Sequence, residues 1–365
     1  MKKIVLTICF LNAIVMGAFT QNTESADEKL KKAIELMDNG KIEESITLLK
    51  EAKKLDPKNS VYDYEMAYAY YISKDYAKAA KTLKPILNKP DAKDLYYQLY
   101  GNALDLQGKR KDALKAYADG LNKFPNSGRL FLEISVILIN EKQLGDALTT
   151  LEAGVKVEPT YSSNYYWLTK IFLNTDFEVW GMLYGEIFMN IERTSKRTTE
   201  IGKMLFNTYK SEIKFDSDTS VSISFCKTEE VNVDEDDEDI RLPFGTFIYE
   251  TTLLASIPIA KWKTENERKI TIKSLCEIRK NFIEQYYNNF HHDEKYPVVL
   301  FDYHKRLIEK GFFEAYNYWL FLGGDYEEFI LWKNANKENW EAFVQWFNDN
   351  PINLNVDNYF HRTKM

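Results

Sequence analysis

The chain has 365 residues, 45% of them hydrophobic and 28% charged, a foldable mixture long enough for about two domains. Lys+Arg 48 against Asp+Glu 55 leaves a net charge of −7, which argues against general electrostatic binding to nucleic acid. With 3 Cys, 4 His and no HExxH or CxxC, the sequence excludes a disulfide-framed fold and a Cys-rich zinc module, and it points away from a metalloenzyme.

Lys2 and Lys3 precede an apolar run from Ile4 to Phe19, broken by Thr7 and Asn12, and polar Gln21–Glu24 follows. This order predicts a secretory signal peptide over residues 1–20, with Ala18-Phe19-Thr20 as its cleavage signature. The run is short for a membrane span, which needs about 20 apolar residues. Cys9 is preceded by the large Ile8 and lies inside the run, so lipidation there is not expected. No later apolar run approaches membrane length, and the mature chain is expected to be exported to a periplasm or the cell exterior.

Pro57, Pro125 and Pro159 stand 68 and 34 residues apart, and Asp91 fills the missing step. Other columns keep this register. Small residues recur at Ala33, Ala67, Gly101 and Ser135, and again at Ser45, Ala79, Ala113 and Ala147. Large apolar residues recur at Leu36, Tyr70, Leu104 and Leu138, and at Leu49, Leu83, Tyr117 and Leu151. A weaker small column runs Ala52, Ile86, Gly120 and Gly154, with Ile86 out of pattern. Small residues on two antiparallel helices let their backbones approach, and large neighbours fill the groove beside the crossing. Proline ends the second helix of each pair, and Asn39-Gly40, Gln107-Gly108 and Asn140 mark the turns between paired helices. Ser25-Ala26-Asp27-Glu28 has the form of a capping box that opens the first helix.

On these columns, residues 26–161 resemble four tandem tetratricopeptide (TPR) repeats. The tryptophan of that family is replaced by Lys29, Asp63, Tyr97 and Phe131, which marks the first repeat as a degenerate cap. A fifth unit begins at Ser162 with Tyr165, Leu168 and Phe172 in register. Phe188 stands where its second helix should carry a small residue, so this pair is expected to be degenerate. The solenoid is therefore assigned to 21–195, and a mostly helical C-terminal region to 196–365.

From Val179 to Ile213 the pattern stays helical, and Gly181 and Gly185 would admit a close helix. Val221, Ile223 and Phe225 alternate with serines as in one short strand of a hairpin. Residues 229–239 carry eight acidic side chains in eleven, as expected of a solvated loop, and lack the pattern of a calcium loop. Helical periodicity returns after Leu242 and continues to Phe347, with stripes Ile272-Leu275-Ile278-Phe282 and Leu307-Ile308-Phe312. Trp340, Phe343, Trp346 and Phe347 share one helical face, a pattern of core packing before one of a sugar-stacking platform. His291-His292-Asp293-Glu294, with His304 beyond it, is the only dense group of metal-ligand types, and a polar turn is its expected role. Cys226 and Cys276 could pair or remain free thiols. No nucleophile elbow, Walker loop or dinucleotide fingerprint is present, so no enzyme activity, cofactor or metal is expected.

The expected fold is all-α, a TPR-type right-handed solenoid followed by a helical region with at most a short β-hairpin. The resemblance implies a non-catalytic module of the bacterial cell envelope that binds a protein or peptide in a concave groove. Positions five, nine and twelve of each first helix lie about 100° from its buried side, and by the resemblance they line that groove. They are Leu30, Ile34 and Met37, then Tyr64, Tyr68 and Tyr71, then Gln98, Asn102 and Asp105, then Leu132, Val136 and Ile139. The lysines of a carboxylate clamp are missing there. A surface carbohydrate- or nutrient-binding protein is the alternative, followed by a hydrolase in the C-terminal half.

Overall fold

The computed structural model describes residues 24–227, 242–260, 262, 264, 267–290 and 297–364. The expected signal peptide, the acidic run 229–239 and the His291–Glu294 group lie outside the described residues. The fold is all-α and of TPR type, with one small hairpin. The chain forms two compact units, which meet in sequence at Asp91 and Ala92.

The first unit holds two helix pairs, α1 (Ala26–Asp38) with α2 (Ile42–Leu55) and α3 (Val61–Ile72) with α4 (Tyr76–Leu83). Ser25 Oγ accepts Glu28 N–H and Glu28 Oε2 accepts Ser25 N–H at 2.8 Å, which is the capping box read from the sequence. Ile86 breaks the weaker small column because Lys84–Ile86, with Pro85 at its centre, is a 3-10 turn that ends α4 early.

The second unit opens with three more pairs: α5 (Asp94–Asp105) with α6 (Arg110–Lys123), α7 (Gly128–Asn140) with α8 (Leu144–Val157), and α9 (Ser162–Phe172) with α10 (Glu178–Ile191). The small columns sit at the crossings, since Ala33, Ala67, Ser135, Ser45, Ala79, Ala113 and Ala147 are all fully buried. At Gly101 a Cβ would overlap the Tyr117 ring, so only glycine fits that crossing. The fifth pair is as closely packed as the others. Gly181, 34 residues after Ala147, takes the small position of its second helix, where a Cβ would stand 2.8 Å from Leu173 N. Phe188 is instead buried under Tyr166 and Arg197.

Each first helix of the first four pairs ends in the same way. Gly40, Lys74, Gly108 and Lys142 recur every 34 residues with φ of 76°, 66°, 76° and 62°. The next N–H then reaches back into the helix, as from Lys41 to Leu36 O at 2.8 Å and from Gln143 to Leu138 O at 2.9 Å. Acidic side chains some thirty residues downstream close helix N-termini. Asp91 accepts Ser60 N–H at 2.6 Å, Glu158 accepts Gly128 N–H at 2.7 Å, and Glu192 accepts the Ser162 hydroxyl at 2.8 Å.

Helix α11 (Lys196–Glu212) starts on the same period but leads into a hairpin, β1 (Ile213–Phe215) antiparallel to β2 (Val221–Ile223), with Ile213 opposite Ile223. A π-helical turn, Phe244–Glu250, runs into α12 (Thr251–Ser256). Five further helices follow: α13 (Ile272–Asn289), α14 (Val299–Glu309), α15 (Phe313–Phe321), α16 (Tyr326–Ala335) and α17 (Lys337–Asp349). Gly202, Gly323 and Gly324 bring α11 and the end of α15 together, since a Cβ on Gly202 would overlap the Leu320 carbonyl oxygen. One apolar core runs from Leu132 to Phe360 without a break at residue 195. Trp319, Phe343 and Phe347 are buried in it, so this aromatic face is core. Cys226 is buried and Cys276 half-buried, and the two are not bonded to each other. Among the described residues no helix is long and apolar enough to cross a membrane.

Candidate functional site

The face that the resemblance marks as a binding groove is carried by the first helices of the pairs. In the first unit Ile34 is 38% and Tyr68 40% exposed, while Leu30 and Tyr64 are half-buried. Tyr71 is half-buried and meets Tyr76 edge-on at 5.5 Å. Met37 does not belong to an open face, because it packs with Ile46 and Ala69 in the core.

In the second unit the same positions form two stripes on α5 and α7. Leu132 is buried, and Val136 and Ile139 are half-buried, one helical turn apart on α7. Beside them runs a polar ladder that links the two helices. Arg129 Nε pairs with Asp94 Oδ2 at 3.2 Å, and Arg129 Nη1 donates to Gln98 Oε1 at 3.3 Å. Gln98 Nε2 donates to Glu133 Oε1 at 2.6 Å. Asn102, with its amide nitrogen turned toward α7, donates to Glu133 Oε2 at 3.1 Å and meets the Tyr117 hydroxyl. Asp105 pairs with Arg110 at 3.4 Å. Burial pushes the Glu133 carboxyl above its usual range, although Gln98, Asn102 and Arg129 pull the other way.

The structure thus links Gln98 and Asn102 with Arg129 and Glu133 beside half-buried Val136 and Ile139, whereas Leu132, like Met37, belongs to the core. Sequence reasoning passed over Arg129 and Glu133, since it stepped through positions five, nine and twelve alone and neither residue falls on them. Helices α5 and α7 pack on α6, α8 and α9, all of them solenoid helices. The face continues on α9 and α11, where Lys170 Nζ donates to Tyr166 OH at 3.2 Å and pairs with Glu200 at 2.9 Å.

Among the described residues the densest titratable group lies elsewhere, in the core of the second unit. Glu186 on α10 accepts from Arg279 on α13, from His304 Nε2 on α14 at 2.6 Å and from Tyr316 OH on α15 at 2.9 Å. Arg279 also donates to Asn317, and Asn190 donates to Tyr316 OH at 2.7 Å. Burial alone would raise the Glu186 carboxyl, but Arg279 and His304 outweigh it and hold it at about 2. Burial pushes His304 below its ordinary value, so the imidazole is neutral at pH 7. The cavity beside this group measures about 20 Å³, room for one water molecule but not for a substrate. Its members hydrogen-bond one another across four helices, while Asn190 Oδ1 is buried without a partner.

No protein-family model and no curated protein matches the chain. Solved TPR structures align with about half of it. MamA from Desulfovibrio magneticus RS-1 is 18% identical over 47% of this chain and 97% of its own, with a TM-score of 0.36. TTC0263, a TPR protein of Thermus thermophilus, is 14% identical over 50% of this chain and 99% of its own, with a TM-score of 0.42. PilW, described as a type IV pilus biogenesis factor, is 18% identical over 50% of this chain and 87% of its own, with a TM-score of 0.40.

Proposed function

We propose that the chain is an exported, non-catalytic module of the bacterial cell envelope that holds an extended segment of a partner protein along its first-helix face. One observation carries the reading. The α5–α7 face bears half-buried Val136 and Ile139 beside a polar ladder, and the helices most closely packed on α5 and α7 belong to the solenoid, which supports a face available to a partner. Among the described residues, the buried Glu186 group is the cluster most like catalytic equipment, and its internal bonds and one-water cavity support a non-catalytic reading. The charged start, apolar run and polar break of residues 1–20 support export.

A photo-crosslinking amino acid placed at Val136 tests the face, with exposed Ala118 on α6 as the control. Partner adducts are expected from position 136. Equal adducts from position 118, or none from 136, overturn the reading. Intact mass from the envelope fraction should place the mature terminus near Gln21, and a retained Met1 or an acylated Cys9 would end the export proposal.

A further inference from the structure

Resting on that reading, we infer that the segment held on α5 and α7 presents a lysine or arginine side chain to Glu133, flanked by apolar residues that lie on Val136 and Ile139. The ladder has a surplus of negative charge. Asp94, Asp105, Glu133 and Glu141 face Arg129 and Arg110, four carboxylates against two guanidiniums. Both arginines are engaged: Arg129 with Asp94, and Arg110 between Asp105 and Glu141 at 3.4 Å each. Glu133 is hydrogen-bonded by the neutral amides of Gln98 and Asn102, and among the described residues no cation is in salt-bridge contact with it, Arg129 acting on it only at longer range.

The Gln98 and Asn102 amides approach Glu133 from α5, one on each oxygen, and each carboxylate oxygen keeps a lone pair for another donor. A half-buried carboxylate without a cation is costly to hold in its charged form, and an incoming ammonium or guanidinium removes that cost. The same amides fix the carboxylate in place, so little side-chain freedom is lost when the cation arrives. Half-buried Val136 and Ile139, on the adjoining stripe of the same helix, suit apolar neighbours of that cation.

The test uses the purified chain and degenerate dodecapeptide pools with one fixed central residue: Lys, Arg, norleucine or Glu. The Lys and Arg pools should bind about tenfold more tightly than the norleucine pool, as one charged hydrogen bond would give. Glu133→Gln should erase that preference at an unchanged melting temperature, and Glu133→Lys should shift it to the Glu pool. If Glu133→Gln keeps the preference, or the pools bind equally and Val136→Glu abolishes them all, the inference falls while the groove reading stands. If no pool binds, both fall.

Discussion

Two carboxylates of the second unit, Glu186 and Glu178, are held in opposite ways and respond oppositely to pH. Glu186 is paired: its oxygen gathers Arg279, His304 and Tyr316 inside the core. Arg279→Met would strand that carboxylate and should cost about 3–5 kcal/mol in urea unfolding, while adding Glu186→Gln should restore part of the loss. Both acidic-side titrations weaken the fold. His304, faced by Glu186, Arg279 and Tyr316, has a folded value below 6.5, so the unfolded chain takes up that proton first and stability falls as pH drops below 6.5. Glu186, held at about 2 against 4.5 when unfolded, adds a second loss as pH drops from 4.5 toward 2. Glu178 is the opposite case. Burial, with Glu212 nearby, raises its carboxyl from 4.5 to about 7, so ionisation opposes folding as pH rises through that window. Glu178→Gln should therefore raise the melting temperature at pH 8 and leave it nearly unchanged at pH 4; an equal shift at both would show that burial does not act on this group.

Among the elements, the turn that ends each first helix makes a sharper test than the helices themselves. Gly40 and Gly108 take a positive φ without strain, whereas Lys74 and Lys142 adopt the same conformation with a Cβ. Lys142→Gly should stabilise by up to ~1 kcal/mol, and Gly108→Lys should destabilise by a similar amount, both read from the urea midpoint. At the crossings, Gly101→Ala should cost about 1–3 kcal/mol, because its methyl must displace the Tyr117 ring. The columns around Gly101, Ala113 and Ala147 were legible in the sequence because a helix crossing tolerates few side-chain sizes, and the residue types report that limit directly. The turn was half legible: glycine declares a positive φ, but lysine at the same repeat position declares nothing. Gly181 carried the small-residue signal of the fifth pair, and the sequence showed it as a close-packing glycine without placing it at the crossing that Phe188 breaks in the weaker column. The Glu186 group left no local trace. Arg279 is 93 residues away and His304 is 118, so only tertiary packing brings them together. Glu133 was hidden for a different reason, since its position in the repeat is a carboxylate at Glu65 and Glu133 but Leu99 and Trp167 in the units on either side of Glu133.

At the scale of the molecule, the contacts that close the C-terminal tail and the proposed binding face lie on different surfaces of the second unit. The C-terminal tail closes onto the second helices of the solenoid. Phe360 is fully buried, edge-on to Tyr184 at 5.1 Å and tilted over Trp180 at 6.3 Å. Two residues on, Arg362 Nε meets the buried Glu152 carboxylate at 2.7 Å, and Tyr184 OH donates to the same carboxylate at 3.0 Å. The tail thus supplies the cation for an acid that would otherwise be buried unpaired, and it covers aromatic surface on α10. None of these partners lies on α5 or α7. Phe360→Ala should then cost about 3–5 kcal/mol and lower the melting temperature by several degrees, through the cavity it leaves beside Trp180 and Tyr184. At a temperature where the variant remains folded, its affinity for the peptide pools should match that of the unaltered chain, because the α5–α7 ladder is untouched. A folded Phe360→Ala chain that had lost peptide binding would mean that the tail reaches the binding face through the core, and the separation of the two surfaces would fail.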